Sequence, residues 1–209
     1  MITVHHLNNS RSHRVLWLLE ELMLEYRVVT YTRDPATLAA PAELQRIHPL
    51  GKAPVIEDEG MVLAESGAIL EYIVGRHGGG RLAPAAGTPE HVRYLSWLHF
   101  AEGSAMPPLL LKIYASRLGD AARPIMGRID GQIARMLDHV EEELDDTPWF
   151  SGESFGAADI QMSFPLEAAQ ARGAVGENRP RIERFLQRIH RRPAFLRAIE
   201  RGGPYELMR

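Results

Sequence analysis

The chain of 209 residues contains no cysteine. A disulfide, a thiolate metal site and a catalytic thiol are therefore all excluded. Any reactive sulfur must arrive with a ligand. The nine histidines do not have the spacing of a metal-binding motif. His5 and His6 are adjacent in a predicted strand and therefore point to opposite faces, so we expect no metal site.

The sequence also lacks an excess of positive charge and a long apolar run. A net charge of −3 with a pI near 6.3 offers no basic field for nucleic acid or an anionic membrane. No apolar run approaches the roughly 20 residues that span a bilayer, and the first residues do not resemble a secretory signal. The hydrophobic fraction of 45% is enough to form a core. We expect a globular, cytoplasmic protein with neither a nucleic acid nor a membrane as partner.

Two motifs of other enzyme classes are missing as well. The chain has no glycine-rich phosphate loop ending in Lys-Ser or Lys-Thr, and no Gly-x-Ser-x-Gly nucleophile elbow. These absences weigh against a P-loop nucleotidase and against an α/β-hydrolase.

The first third of the chain alternates between strand and helix patterns. Residues 2–7 and 26–32 are rich in β-branched and apolar residues and predict strands. Between them, residues 14–23 carry apolar side chains at helical spacing. Residues 33–49 are polar and contain prolines, which predicts a short helix within a loop. Strand, helix, strand is the beginning of a mixed α/β domain.

A β-hairpin followed by a helix is predicted next. Residues 55–58 and 61–64 are short apolar runs joined at Glu59-Gly60, and glycine after an acidic residue suits a tight turn. Helical spacing then begins near Ser66. The unpaired N–H groups of a helix start attract a carboxylate or a phosphate.

The remainder of the chain is predicted to be helical. Residues 78–89 contain a Gly-Gly-Gly run and prolines, which is typical of a linker. Beyond this linker, apolar residues recur three or four positions apart. They include Ile125, Ile129, Ile133, Leu137, Val140, Leu144, Ile182, Phe185, Leu186 and Ile189. We therefore predict domains at residues 1–77 and 90–209, the second an all-α bundle.

The segment Pro49-Leu50-Gly51-Lys52-Ala53-Pro54, followed by the hairpin and by Glu65-Ser66, resembles the cytosolic glutathione S-transferase family. The resemblance covers the whole chain. It implies an α/β thioredoxin-like N-terminal domain that binds glutathione, followed by an all-α helical C-terminal domain that carries a hydrophobic acceptor site. Because the chain has no cysteine, the branches of the family that use one are disfavoured.

The resemblance assigns glutathione-binding positions to this sequence. In the family, the backbone beside a cis-proline pairs with the cysteinyl part of glutathione, which here implies Ala53-Pro54. Sequence does not reveal whether this bond is cis or trans. Glu65-Ser66 match the pair that holds the γ-glutamyl end, and Lys52 with His48 would lie near the glycyl carboxylate.

The same resemblance places the thiol-activating residue in the loop after the first strand. The Ser-type branches place a hydroxyl four residues before an Arg, which here is Ser10 before Arg14. The register is open by one or two positions, so Asn9 and Ser12 are also catalytic candidates. Arg11 is a further candidate and is expected to contact glutathione. From its position alone, Ser12 could instead serve as the helix cap.

The helical domain supplies the remaining predicted site residues. Residues 91–114 are helical but are interrupted by Pro107-Pro108, which should kink the helix. By resemblance, Met106, Leu110 and Tyr114 face the electrophile, and Glu102 reaches the glutathione bound to the other subunit of a homodimer. The alternative is that these are ordinary core and surface residues.

A helix start is predicted at Gly156, with Asp159 reaching back to the Gly156 N–H as half of a capping box. We assign Asp159 to stability.

The function that follows from the resemblance is conjugation of glutathione to small hydrophobic electrophiles in detoxification, with peroxide reduction as a side activity. Glutathione is then a substrate, and no cofactor is implied. Two alternatives remain: a protein that binds glutathione or hydrophobic compounds without turnover, and a structural module for assembly.

Overall fold

A computed structural model describes residues 1–34, 36, 37 and 39–208. The chain forms two compact units, one of residues 1–82 with 189–208 and the other of residues 83–188. The predicted fold class is confirmed: a thioredoxin-like α/β domain is followed by an all-α domain. Pro35, one of the prolines that predicted a loop, lies outside the described residues. Within the described part of the chain, no helix is long and apolar enough to cross a bilayer.

The first unit contains a four-stranded sheet in the order β2-β1-β3-β4. The strands are β1 (Ile2–Leu7), β2 (Tyr26–Tyr31), β3 (Val55–Asp58) and β4 (Met61–Ala64). β1 pairs in parallel with β2 and antiparallel with β3, and β3 forms the predicted hairpin with β4. Every residue of β1 is buried, as expected of a central strand covered on both faces.

The first unit also contains the helices α1 (Ser12–Glu21), α2 (Glu43–Ile47) and α3 (Ser66–His77), and from the end of the chain α9 (Pro193–Gly202). α1 begins two residues earlier than predicted. The predicted start of α3 near Ser66 is confirmed. A 3₁₀ turn at Glu206–Met208 follows α9.

The register of the strands places the ends of β1, β2 and β4 and the start of β3 at one edge of this sheet. His5 pairs with Val55, and Val55 pairs with Ala64, so β1 and β4 end where β3 begins. β2 ends at the same edge, since Leu7 pairs with Tyr31. Loops at strand ends commonly present side chains to ligands. This edge therefore collects the predicted binding segments of the first unit.

The second unit contains α4 (Pro89–Phe100), α5 (Met106–Ser116), α6 (Arg123–Asp146), α7 (Ala157–Gln170) and most of α8 (Pro180–His190). Within the predicted apolar stripe of α6, Ile129, Ile133, Leu137 and Val140 are buried, whereas Ile125 is 45% exposed. The four predicted apolar positions of α8 are all buried.

The interruption before Pro107 differs from the prediction. The helical stretch contains a π-helical turn at Ala101–Ala105, and α5 then begins at Met106 with Pro107 in its first turn. Proline has no N–H to donate to the preceding turn, and it is tolerated at a helix start because such N–H groups have no partner there. The break therefore lies upstream of Pro107.

The last helix is grouped differently from the sequence-based boundaries. Residues 189–208 belong by their contacts to the first unit, where α9 packs against α1. Phe195 lies edge-on to Trp17, and Arg192 forms a two-point ion pair with Glu21 at 2.6 and 2.9 Å. The boundaries at 77 and 90 remain a prediction.

Candidate functional site

The loop after β1 is organised by two serine hydroxyls. Ser10 Oγ and Ser12 Oγ lie 2.7 Å apart, and the Ser12 N–H donates to Ser10 Oγ at 3.2 Å. Ser12 Oγ also accepts from the Leu7 N–H at 3.1 Å. Both serines are buried. The helix-capping role considered for Ser12 is wrong: Ser12 is already inside α1, and Ser10 accepts its N–H instead.

His6 continues this network below the loop. Its Nδ1 lies 2.9 Å from Ser12 Oγ, and its Nε2 lies 3.0 Å from the carbonyl oxygen of Gly202. Burial lowers the pKa of His6 below its ordinary value, so the ring is neutral at pH 7. His6 thereby connects the loop to the end of α9.

Asn9 sits at the turn of the loop with a positive φ of 51°. Asparagine is among the few residues that adopt this conformation readily. The half-buried Asn9 accepts from the Glu206 N–H through Oδ1 at 2.9 Å. The neighbouring Asn8 accepts from the Arg33 N–H at 3.0 Å, which ties the loop to the end of β2. Arg11 is half-buried in the same loop.

At the start of α3, Glu65 and Ser66 have different environments. The Glu65 side chain is exposed and its backbone has φ 71° and ψ 115°, a strained combination for a residue with a Cβ. Ser66 is buried, and its Oγ accepts from Arg14 Nη1 at 3.3 Å. Arg14 is 1% exposed on α1. The serine of the predicted γ-glutamyl pair is therefore joined to the helix that follows the loop.

The segment that leads into β3 lies at the same edge of the sheet. The Ala53-Pro54 peptide bond is cis. Pro54 is buried, whereas Lys52 is exposed. His48 is half-buried, and its Nδ1 accepts from the Leu50 N–H at 3.4 Å. The structure thus brings the predicted glutathione-binding residues of the first unit to one edge of the sheet.

The predicted acceptor residues belong to the second unit. Met106 is buried, Leu110 is half-buried and Tyr114 is 59% exposed. Glu102 is half-buried in the π-helical turn. An open cavity of about 410 Å³ is lined by Ser104, Pro107, Pro108, Leu111, Gln132 and Arg135. The three predicted acceptor residues are not part of its lining.

Asp159 has the structural role that the sequence predicted. Its carboxylate accepts from the Gly156 N–H at 2.9 Å, which confirms the half capping box, and from the Phe150 N–H at 2.7 Å. Complete burial raises the pKa of Asp159 to about 6, although these donors oppose the shift. The carboxylate fixes the start of α7.

Sequence reasoning missed the roles of Arg14 and His13. Arg14 is followed directly by the apolar run of α1, and a charged residue next to such a run is a readable sign of a buried polar contact. His13 is fully buried between the rings of Tyr205 and Phe195, at 4.5 and 4.9 Å between centroids. Burial, together with the neighbouring His6 and His190, lowers the pKa of His13 to about 3. No local pattern indicates the partners of His13, which come from the end of the chain.

Comparison with known proteins agrees with this geometry. Residues 1–75 match the family model described as glutathione S-transferase, N-terminal domain, and residues 128–193 match the corresponding C-terminal domain. Glutathione S-transferase 3 of Schizosaccharomyces pombe is 35% identical over 96% of this chain and 88% of its own length. Glutathione S-transferase 1 of Saccharomyces cerevisiae is 33% identical over 97% and 95%.

A solved structure agrees as well. The crystal structure of a glutathione S-transferase from Actinobacillus pleuropneumoniae superposes with a TM-score of 0.90 at 37% identity, covering 100% of this chain and 96% of that one. The sheet topology and the residues at the sheet edge agree with the sequence matches. The chain belongs to the glutathione S-transferase family.

Proposed function

We propose that this protein is a glutathione transferase that holds glutathione along the sheet edge, activates it as a thiolate and transfers it to small hydrophobic electrophiles. The observation that carries the proposal is the Arg14–Ser66 contact at 3.3 Å. It joins the helix that follows the thiol-activating loop to the serine of the γ-glutamyl subsite, in a chain that belongs to the family.

The charges at this edge complement those of glutathione. The γ-glutamyl end carries an ammonium and a carboxylate. Glu65 is an exposed anion that can pair with the ammonium. The N-terminus of α3, with Ser66, offers hydrogen-bond donors for the carboxylate. Lys52 is an exposed cation for the glycyl carboxylate, with His48 close by in sequence. The backbone at Ala53 is the proposed partner of the cysteinyl residue.

Activation of the thiol requires a modest free energy. A free thiol has a pKa near 8.5, so only a few per cent is ionised at pH 7. Lowering that pKa by about two units corresponds to about 2.7 kcal/mol of preferential stabilisation of the thiolate. One hydrogen bond to a charged group contributes roughly 1.5 to 3 kcal/mol. Ser10 and Asn9 are the two side chains that we consider as donors, assisted by the field at the start of α1.

The acceptor side of the reaction belongs to the helical domain. We assign contacts with the electrophile to Met106, Leu110 and Tyr114, and we assign Glu102 to the glutathione bound by the second copy in a homodimer. Glutathione is the substrate, and the proposed reaction needs no further cofactor. Detoxification in the cytoplasm, with peroxide reduction as a side activity, fits this chemistry. The names of the relatives favour an enzyme over a ligand-holding protein.

Glutathione affinity and turnover test the proposal together. Glu65→Ala should weaken glutathione binding by about tenfold, as expected for loss of about 1.4 kcal/mol, measured by titration calorimetry. Glu25→Ala is a matched control, because Glu25 is an exposed acid before β2, at the opposite edge of the sheet. Wild type should also conjugate glutathione to a chlorodinitrobenzene. Binding without conjugation to any of a panel of electrophiles would contradict the enzymatic assignment.

A further inference from the structure

The last residues of the first unit lie against the thiol-activating loop. We propose that residues 202–206, here called the C-terminal segment, are a working part of the thiol-activating site, because they fix the directions in which Asn9 and Ser10 donate hydrogen bonds. This inference rests on the proposed function and deepens it by choosing between the two donors.

The C-terminal segment orients the amide of Asn9. The Glu206 backbone N–H can only donate, and it lies 2.9 Å from Asn9 Oδ1. The oxygen end of the amide must therefore face the segment. The Nδ2 end, which can only donate, is the end that remains for a ligand. Asn9 is held as a donor at the edge of the sheet by a backbone group from the other end of the chain.

The same segment fixes the tautomer of His6. The carbonyl oxygen of Gly202 can only accept, so the proton of the neutral ring is on Nε2, 3.0 Å away. Nδ1 then has no proton and can only accept. The Ser12 hydroxyl at 2.9 Å is its donor.

This assignment determines the direction of the Ser10 hydroxyl. His6 Nδ1 is the nearer acceptor for the single proton of the Ser12 hydroxyl, at 2.9 Å against 3.2 Å to the carbonyl oxygen of Leu7, so the 2.7 Å contact between the two serines requires Ser10 to donate. Ser10 Oγ in turn accepts from the Ser12 N–H. The Ser10 proton thus points into the protein, and Ser10 frames the loop. Asn9 is left as the side chain that donates to the glutathione sulfur.

The position of the C-terminal segment is strongly specified. A Cβ on Gly202 would lie 2.8 Å from Leu16 Cδ1 and 3.1 Å from His6 Nε2, so a larger residue at this position would require the Leu16 or His6 side chain to move. Tyr205 stacks on His13 with an interplanar angle of 18°. The site therefore depends on a segment about 190 residues away in sequence.

A pair of substitutions at one position tests this inference. Glu206→Pro removes the backbone N–H that orients Asn9, and proline is tolerated at the first residue of a helical turn. Glu206→Ala is the matched control, because it removes the exposed carboxylate but keeps the N–H. Both leave Glu65, Ser66 and Lys52 unchanged.

Two quantities are measured. The first is the thiol pKa of bound glutathione, from ultraviolet absorbance across pH, and the second is kcat and KM determined separately. Glu206→Pro should raise this thiol pKa by about one unit and lower kcat about tenfold below that pKa, with KM for glutathione changed less than about twofold. Glu206→Ala, which keeps this N–H, should shift the thiol pKa by much less than Glu206→Pro does. An unchanged thiol pKa in Glu206→Pro, or an equal effect of both substitutions, would overturn the inference. A wild-type thiol with its free pKa would instead overturn the proposed function.

A second pair addresses the His6 branch of the network. Gly202→Ala should displace His6 and raise the thiol pKa in the same assay. Gly75→Ala is its control, since a Cβ there meets no atom of the described residues within 4 Å beyond its chain neighbours and the backbone of its own helix. If Gly202→Ala has the same thiol pKa as Gly75→Ala, the His6 branch of the inference is contradicted.

Discussion

Arg14 Nη1 donates to Ser66 Oγ at 3.3 Å, and both residues are buried. This contact joins α1 to the first residue of α3, so the loop that precedes α1 and the proposed γ-glutamyl subsite at the start of α3 are both connected to α1. A buried arginine that bonds a hydroxyl also carries a desolvation cost that only well-placed partners offset. We expect the two residues to act as a unit.

A double-mutant cycle tests this coupling. Arg14→Met and Ser66→Ala should each weaken glutathione binding, and the double mutant should lose less than the sum of the two effects. The expected coupling is about 1 to 2 kcal/mol, within the usual range for residues in contact. Glutathione affinity measured by calorimetry on the four proteins gives this number. Strict additivity would show that Arg14 does not position Ser66.

We expect Asn9→Asp to prevent activation of the glutathione thiol while it preserves the conformation of the loop. Aspartate keeps the oxygen that accepts from the Glu206 N–H, but it replaces the donating NH₂ by a second oxygen. A negative charge near the sulfur raises the pKa of the thiol. The thiol pKa of bound glutathione should therefore exceed that of the Asn9→Ala variant by about half a unit or more. An Asp variant with the wild-type thiol pKa would exclude Asn9 as the donor.

The lowered pKa of His13 should make the folded protein less stable in acid. Its pKa is about 3 in the folded protein, against an ordinary value of 6.5. Below pH 6.5 the unfolded chain binds a proton that the folded protein rejects, so the free energy of unfolding falls as pH decreases towards 3. Between pH 6.5 and 4.5 this amounts to about 2.3 kcal/mol.

His13→Phe provides the comparison. The phenyl ring keeps the stacking with Tyr205 but does not titrate. Urea unfolding at pH 7 and pH 4.5 should show that the variant loses about 2 to 3 kcal/mol less than wild type over this interval. Other titrating groups, including His6 and Asp159, are common to both proteins. Equal losses in the two proteins would contradict the lowered pKa of His13.

Asp159 is expected to contribute to stability and not to catalysis. Asp159→Ala leaves the Gly156 and Phe150 N–H groups buried without their acceptor, at about 1 to 3 kcal/mol each. We expect a loss of about 3 kcal/mol in the free energy of unfolding, and a smaller loss for Asp159→Asn, which keeps one acceptor oxygen. The kcat of the folded fraction should not change. A specific loss of kcat in Asp159→Asn would contradict this assignment.

The local elements of the fold were readable because their signals are local. The hairpin at Val55–Asp58 and Met61–Ala64 and the start of α3 agree with the prediction residue by residue, because turn chemistry and periodicity specify them. The π-helical turn at Ala101–Ala105 was not predicted. Proline indicates that a helix is disturbed nearby, but it does not specify how the preceding turn accommodates the missing donor.

The connections of the site were less readable because they are long-range. Periodicity shows which face of a helix is buried but not which unit covers it, so the contacts that group residues 189–208 with the first unit cannot be read from the sequence around them. The spacing before Arg14 favours Ser10 as the thiol-activating residue. The direction of its hydroxyl depends on Gly202, whose partner His6 is 196 positions away. Such a contact leaves no pattern in the sequence around either residue.

An ultraviolet difference titration of glutathione on wild type, Asn9→Ala and Ser10→Ala tests the central claim most directly. In wild type we expect thiolate absorbance that titrates with a pKa about two units below the free-thiol value near 8.5. This lowering of the thiol pKa should be lost in Asn9→Ala, and it should be reduced less in Ser10→Ala than in Asn9→Ala. Bound glutathione that titrates at the free-thiol pKa in wild type would contradict thiolate activation by this loop.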